Sequence, residues 1–395
     1  MESTLATRAL HLMEPAHPET GEAISLDSGY AFAGIFPDLA READRALTKY
    51  RAESLQYGRP FGLPGLREWI SEHMREDGAN VPPDDVLVVN GAKNGLDLLC
   101  RLFTEEGDCV VVTAPTYFTA IPIFRSFGLT FLEASQDGEG LEVDALARAL
   151  VERKRQDMPM PKFIYDISDF HNPTGITMSR RRREALVALS ASLEIPIIED
   201  SPYRKLRFEG EPEPSLKSLD ESELVFALGT FSKLLAPGLR VGWVAGKRSF
   251  LQRMARLKSD GGSCPLTQRI VLEFCAEGRL RTHVERARAT YGAHRDVMVA
   301  ALRRELPDAA FTVPQGGYYL WLTFPERVST EILAERAYRA GVSVIAGGAF
   351  FAAASAQAQG PNAPARFLRL AYSGAAPDQI EEGVRRLATA YRSMQ

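Results

Sequence analysis

The sequence predicts an α/β fold, with a large domain built on a mostly parallel sheet and a smaller α+β domain after it. Short apolar runs alternate with helical patterns through the first two thirds of the chain, as in a sheet covered by helices on both faces. The polar residues of interest fall just past the ends of those runs, where ligands collect in such sheets. A long charged helical pattern, about Arg279 to Leu306, then leads into strands of a second unit.

In chain order, Met1 to about Ala23 is mixed and turn-rich and reads as an arm. Ile24 to Pro37 is a loop rich in glycine and aromatics, including Gly29, Tyr30, Phe32 and Phe36. Such a loop fits a pocket wall or the packing of an arm onto a neighbouring subunit. Leu55 to Arg67 is punctuated by glycine and proline and enters a helix near Leu66. Val86 to Val89 is a strand, followed by Asn90-Gly91-Ala92-Lys93-Asn94-Gly95 and a helix from Leu96 to Phe103. Free N–H groups at such a helix start favour an anion, although any βα unit can contain such a turn. Further strands are Cys109 to Thr113, Phe163 to Ile167, Ile195 to Glu199, Leu224 to Leu228 and Val241 to Ala245. Helices cover Val143 to Arg155 and Arg180 to Leu193. Tyr117, Asn172, Asp200, Tyr203 and Lys233 each follow one of the strands. In the smaller unit Phe311 to Phe324, Val342 to Ile345 and Phe367 to Ala371 read as strands, closed by a helix from Pro377 to Ser393. Ala346 to Ala365, rich in Ala, Gly and Gln, reads as a mobile surface loop.

The bulk properties narrow the function class. At 395 residues the chain has room for two domains. A formal charge of −4 gives no support to a nucleic-acid or anionic-membrane partner. The run Arg180 to Arg183 opens a helix and reads as a solvated face. Cys100, Cys109, Cys264 and Cys275 form no Cys-x-x-Cys pair, which fits reduced thiols in a cytoplasmic protein. There is no signal-peptide pattern after Met1 and no membrane-length apolar stretch. The six histidines show no paired spacing, and no Walker or dinucleotide glycine pattern occurs, so metal and nucleotide chemistry lack support.

The stretch from Leu228 to Trp243 carries the chemistry. It places Lys233 among apolar and small hydroxyl residues, with Thr230 and Ser232 before it and Arg240 after the Pro237-Gly238 turn. A desolvated lysine near another cation loses its proton more easily, and its neutral amine can attack a carbonyl to form a Schiff base. Two hydroxyls and a forked guanidinium suit a phosphate monoester. An aldehyde that also carries a phosphate describes pyridoxal phosphate. A surface lysine beside a turn explains the same stretch taken alone.

The remainder of the chain decides between these readings, because its motifs resemble those of the class I/II, fold-type-I pyridoxal-phosphate aminotransferases. They are Tyr57-Gly58 with Gly65-Leu66-Arg67, Asn90-Gly91-Ala92, Pro115-Thr116-Tyr117, Asn172-Pro173-Thr174-Gly175, Glu199-Asp200-Ser201-Pro202-Tyr203, Thr230-Phe231-Ser232-Lys233, Gly316-Gly317 and Arg369-Leu370. They come in the family's order between Leu26 and Leu387, and are closest to the branch of aromatic and 2-aminoadipate aminotransferases and the aminotransferase-like domains of MocR-type regulators. The resemblance implies a seven-stranded large domain at 46–285, a small domain at 286–395 and, at 1–45, an arm together with part of the small domain. It implies that Lys233 carries the cofactor and moves a proton, that Asp200 pairs with the pyridine nitrogen, and that Asn172 and Tyr203 bond the ring oxygen. Tyr117 would stack on the ring. The phosphate would take Gly91, the Ala92 and Lys93 amides, Thr230, Ser232 and Arg240, with Tyr57 reaching in from the other subunit of a homodimer. Arg369, assisted by Asn172, would grip the substrate α-carboxylate, and Gly29 and Tyr30 would line the substrate site.

The chain departs from the pattern at Ser168 and His171, in the segment before Asn172, and at Ala31, Ala346, Ala92 and Thr230. Ser168 and His171 could reshape the cavity, add an acid–base group or equally be neutral drift. The reading is amino transfer between an α-amino acid and a 2-oxo acid. Elimination, replacement, decarboxylation or oxidation on the same apparatus is the alternative. A DNA-binding regulator would need a helical module ahead of Leu26, for which Met1 to Ser25 has no room. Tyr30, Phe32, Phe36, Tyr318 and Tyr319 suggest an apolar or aromatic side-chain pocket, with no second arginine for an acidic one.

Overall fold

The computed structural model describes residues 23–259, 261–352 and 363–394. Its large sheet contains β1 (Val86–Val89), β2 (Cys109–Ala114), β3 (Thr130–Asp137), β4 (Gly140–Leu141), β5 (Ile164–Asp166), β6 (Ile197–Asp200), β7 (Val225–Thr230) and β8 (Gly242–Ala245). The order is β1-β8-β7-β6-β5-β2-β3-β4. The five strands β7, β6, β5, β2 and β3 run parallel. β8 is antiparallel to β7 and β1, and the two-residue β4 is antiparallel to β3. The expected seven strands are therefore joined by one short edge strand. Every residue of β1, β6, β7 and β8 is buried, because helices cover both faces and leave no polar side to the alternation. β3 escaped the sequence reading because Thr130–Asp137 is polar and mostly half-exposed.

The helices Val143–Arg155 and Arg180–Leu193 have the expected bounds, and the helix after β1 begins earlier, at Ala92. The basic run is not a solvated face. Arg180 and Arg181 are exposed, but Arg182 and Arg183 share the inward face with Leu186, Val187 and Ser190, one helical turn on. Arg183 is fully buried and pairs with buried Asp169 at 3.0 Å.

The long helix Arg279–Glu305 packs Tyr291, Met298 and Leu302 into one apolar core with Leu320, Leu322, Leu368 and Leu370. Those leucines lie on a four-stranded antiparallel sheet of β9 (Ala310–Phe311), β10 (Tyr319–Thr323), β11 (Ile345–Ala346) and β12 (Phe367–Ala371), ordered β9-β10-β12-β11. The single strand expected from Phe311 to Phe324 is thus two, split by the turn that contains Gly316 and Gly317. The stretch from Val342 to Ile345 also divides. Val342–Ser343 pairs in parallel with Ile24–Ser25, and Ile345 joins β11. Of the expected mobile loop, residues 353–362 lie outside the described residues, as does the arm before residue 23; Gly347–Phe350 and Pro364–Arg366 are short 3-10 turns. Among the described residues no helix is long and apolar enough to cross a membrane, and no group of three or more His, Cys, Asp or Glu side chains could hold a metal ion.

Candidate active site

The carboxyl ends of β2, β5, β6 and β7 open onto a cavity of about 340 Å3. Ser28, Gly29, Tyr30, Ala92, Lys93, Tyr117, Phe118, Asn172, Asp200, Tyr203, Thr230, Ser232, Lys233, Arg240, Tyr319 and Arg369 line it. The structure therefore brings together almost the whole set expected from sequence. Tyr57 stands apart, 88% exposed and outside the lining of this chain's own cavity. Gly91 lies just behind the lining.

One end of the cavity is built for an anion. Gly91 caps the helix Ala92–Phe103 with φ +84°, and a Cβ there would come within 2.6 Å of the Arg240 guanidinium. Only glycine fits this approach. The open N–H groups of that helix start lie on the cavity wall. Thr230 ends β7 and its hydroxyl caps the next helix, accepting from the Ser232 N–H at 3.1 Å and bonding the Ser232 hydroxyl at 2.9 Å. Arg240 reaches over both, 3.5 Å from Ser232 Oγ and 2.9 Å from Asn90 O.

Lys233 rises from the same short helix, and its Nζ donates to Gly29 O at 2.7 Å. Burial, then the positive charges of Arg369 and Arg240, pull its amine down from the ordinary lysine value to about 8. Asp200 is the last residue of β6, and Tyr165 donates to its Oδ2 at 2.9 Å. Its Oδ1 is buried with no hydrogen-bond partner. Burial pushes this carboxyl up to about 6, against the Tyr165 hydrogen bond, which lowers it. Tyr165 was not assigned this role from sequence. The signal lies in register: Tyr165 pairs with Ile198, so its side chain shares a face with Ile198 and hence with Asp200.

Arg369 lies opposite Trp321 in the β10–β12 ladder and is buried. Its Nη1 donates to Asn172 Oδ1 at 2.9 Å and its Nη2 to Asp27 O. Three rings surround it: Tyr319 at 4.3 Å, Phe350 at 5.0 Å and Phe118 at 5.1 Å. Arg369 Nε and Asn172 Nδ2 are both buried without partners. Phe118 and Phe350 carried no motif and were missed.

Two expectations are corrected. Ser168 and His171 do not reach the cavity lining. Ser168 donates to Asp166 at 3.0 Å, and His171 is held between Thr113 at 2.9 Å and Thr174 at 3.1 Å. Burial takes the imidazole down to about 3, so it stays neutral and, held by the two threonines, does not serve the cavity as an acid–base group. Of the five aromatic residues expected to form the pocket, Tyr30 and Tyr319 line it. Tyr318 is fully buried against Tyr291, Phe32 packs on His294, and Phe36 is 42% exposed.

These features fit pyridoxal phosphate. An anion cradle, an easily deprotonated lysine, an orphaned buried carboxylate oxygen and two orphaned donors face one cavity of the size that holds such a ligand. The family model for aminotransferase class I and II matches residues 23–387. Aromatic-amino-acid aminotransferase 1 of Thermococcus litoralis is 35% identical over 94% of this chain and 88% of its own. The crystal structure of Pyrococcus horikoshii kynurenine aminotransferase, a complex with PMP, superposes with a TM-score of 0.92 at 32% identity, over 99% of this chain and 98% of that one. LysN, the α-aminoadipate aminotransferase of Thermus thermophilus, complexed with N-(5'-phosphopyridoxyl)-L-leucine, gives 0.89 at 32% identity, over 100% of this chain and 98% of that one. The chain belongs to the class I and II aminotransferases of fold type I, and it is a pyridoxal-phosphate-dependent enzyme of amino transfer.

Proposed function

We propose that this aminotransferase acts on α-amino acids with apolar or aromatic side chains, and that the residues gathered in the cavity divide the work as follows. Pyridoxal phosphate, when bound, supplies an electron-withdrawing ring that stabilises negative charge at the substrate α-carbon. Lys233 Nζ would hold the cofactor and would move the proton at the substrate Cα; an amine with a pKa near 8 is well matched to that task. Asp200 Oδ1 keeps the ring nitrogen protonated, and Tyr165 holds the carboxylate in place. Tyr203 and Asn172 Nδ2 donate to the ring oxygen, and Tyr117 covers a ring face. Gly91, the Ala92 and Lys93 amides, Thr230, Ser232 and Arg240 take the phosphate. Arg369, oriented by Asn172 and Asp27 O, grips the α-carboxylate, with Gly29 and Tyr30 beside it. The observation that carries this reading is the meeting of Lys233, the unpaired Asp200 oxygen and the ring-caged Arg369 on one cavity.

The side-chain preference rests on Tyr30, Phe118 and Tyr319 in the wall, where Arg369 and Arg240 are the only arginines among the described lining residues. The aromatic and kynurenine substrates named for two relatives agree with it; the third, complexed with a leucine adduct, is named for α-aminoadipate, which carries a second carboxylate. We further infer a cytoplasmic homodimer in which the exposed Tyr57 reaches the neighbouring phosphate site, with domain boundaries near residues 46 and 286. Free thiols at Cys100, Cys109, Cys264 and Cys275 fit a reducing compartment.

The test is a single-turnover half-reaction. Cofactor-loaded protein is mixed with a panel of amino acids and no oxo acid, and absorbance and products are followed. Stoichiometric pyridoxamine phosphate with the matching 2-oxo acid is expected, fastest for apolar or aromatic donors. Carbon dioxide or free ammonia with the aldehyde restored would overturn amino transfer. A dicarboxylic amino acid as best donor would overturn the side-chain assignment.

A further inference from the structure

We propose that Tyr319 is a positioning residue for the cofactor, its hydroxyl bonding the Tyr203 phenol so that two phenols in series set the charge on the cofactor's ring oxygen. The inference rests on the Tyr203 role proposed above and extends it to a residue to which no cofactor role has been given.

β10 sets Tyr319 opposite Ala371 and diagonal to Arg369 on the same face, which puts its ring under the guanidinium at 4.3 Å. The ring meets Tyr203 edge-on at 5.7 Å, and the two hydroxyl oxygens are 3.1 Å apart in buried surroundings. The hydroxyl also fills the notch above Gly29, where an added Cβ would collide with it. Gly29 is the residue whose carbonyl accepts from Lys233. One oxygen atom thus touches the phenol aimed at the cofactor and the backbone that receives the lysine. A phenylalanine would satisfy the packing under Arg369 and do neither.

The direction of the effect follows from hydrogen counting. Tyr203 has one hydroxyl hydrogen, and spending it on the cofactor's ring oxygen leaves its own oxygen as an acceptor. In the structure the Tyr203 hydroxyl donates to Tyr319 at 3.1 Å; once Tyr203 turns its hydrogen to the ring oxygen, the Tyr319 hydroxyl rotates and returns its own hydrogen to the Tyr203 oxygen. Burial pushes the Tyr203 phenol well above its ordinary range, so it remains a proton donor across the working pH range. A phenol that receives a hydrogen bond becomes a stronger donor, and bonds in such chains strengthen one another by roughly 10–30%. A stronger donor favours the negatively charged ring oxygen, and so lowers the pH midpoint between the acid and basic coloured forms of the lysine-bound cofactor.

The experiment titrates the visible absorption of the cofactor-loaded wild type, Tyr203→Phe, Tyr319→Phe and the double variant, all without substrate. Loss of the Tyr203 bond to a charged oxygen raises the midpoint by about 1–2 pH units. Tyr319→Phe is expected to raise it in the same direction by about a tenth to a third as much, and to add nothing in the Tyr203→Phe background. A midpoint that moves for Tyr203→Phe and stays fixed for Tyr319→Phe overturns the Tyr319 role and leaves the Tyr203 role standing. If neither variant moves it, the Tyr203 role itself fails and the inference falls with it. An equal Tyr319→Phe shift with and without Tyr203 overturns the series arrangement.

Discussion

Replacing Asp169 with asparagine tests the device that holds the Asn172 segment in place. Arg183 reaches Asp169 Oδ1 at 3.0 Å and Oδ2 at 3.3 Å, and Arg204 reaches Oδ2 at 2.8 Å. The rest of the Arg183 head is bonded to the Ser168, Met178 and Pro214 carbonyls, and its side chain has no exposed surface. Asp169→Asn keeps the shape, removes the charge and turns an N–H donor toward a guanidinium. Arg204 retains Asp77 at 3.3 Å, whereas Arg183 keeps only neutral carbonyls as hydrogen-bond partners, with the buried Asp166 and Glu199 acting on it from further away. An uncompensated buried charge of this kind costs about 3–5 kcal/mol, a large share of the roughly 5–15 kcal/mol that holds a protein folded. Urea unfolding of the cofactor-free protein measures it. The pH dependence adds a second check. Burial alone would raise the Asp169 carboxyl, but Arg183 and Arg204 hold it below its ordinary value. Its contribution is therefore complete above the unfolded value of about 3.9 and is lost only as pH falls through the lower folded one. The gap between wild type and variant should be flat from pH 5 to 8 and close below about pH 4. A loss under about 1 kcal/mol, or a gap that changes between pH 5 and 8, would refute the latch.

Cofactor capture by the cofactor-free protein should follow deprotonation of Lys233 and so rise with pH around 8, and the rise should move to higher pH in Arg369→Met, since Arg369 helps depress the amine. A half-rise near pH 10 would contradict this. Tyr165→Phe removes the one side-chain hydrogen bond of Asp200 among the described residues, and should weaken cofactor binding about ten- to 150-fold, as expected for a bond to a charged group; equilibrium dialysis reads it, and unchanged affinity counts against the assignment. His171 is buried and neutral, with its folded pKa depressed to about 3 from 6.5. Its effect on stability is absent above about pH 6.5, and between there and pH 3 the protein loses up to about 1.4 kcal/mol per pH unit. His171→Gln, which cannot take up that proton, should keep activity and flatten this part of the acid-unfolding curve; an unchanged curve would show that another group is responsible.

The sequence by itself determined the fold class, most element bounds and most of the cavity residues. Continuous apolar runs such as Val225–Thr230, too short for a helix and alternating with helical patterns, read as strands covered on both faces, and polar residues at the carboxyl ends of such parallel strands meet at one rim. Lys233, Asp200 and Asn172 were legible for that reason together with the family's motif order, and Arg369, on the small sheet, through the motif order alone. The tertiary structure decided what depends on register and facing. Helical phase turned Arg182 and Arg183 inward, where composition suggested solvent. The pairing of Tyr165 with Ile198 aimed a core tyrosine at Asp200, and the β10–β12 ladder set Tyr319 beneath Arg369. His171 occupies a motif position yet points away from the cavity, because Thr113 and Thr174 hold both its nitrogens. Local sequence names the residue that follows a strand; the neighbouring strand's register decides what its side chain meets.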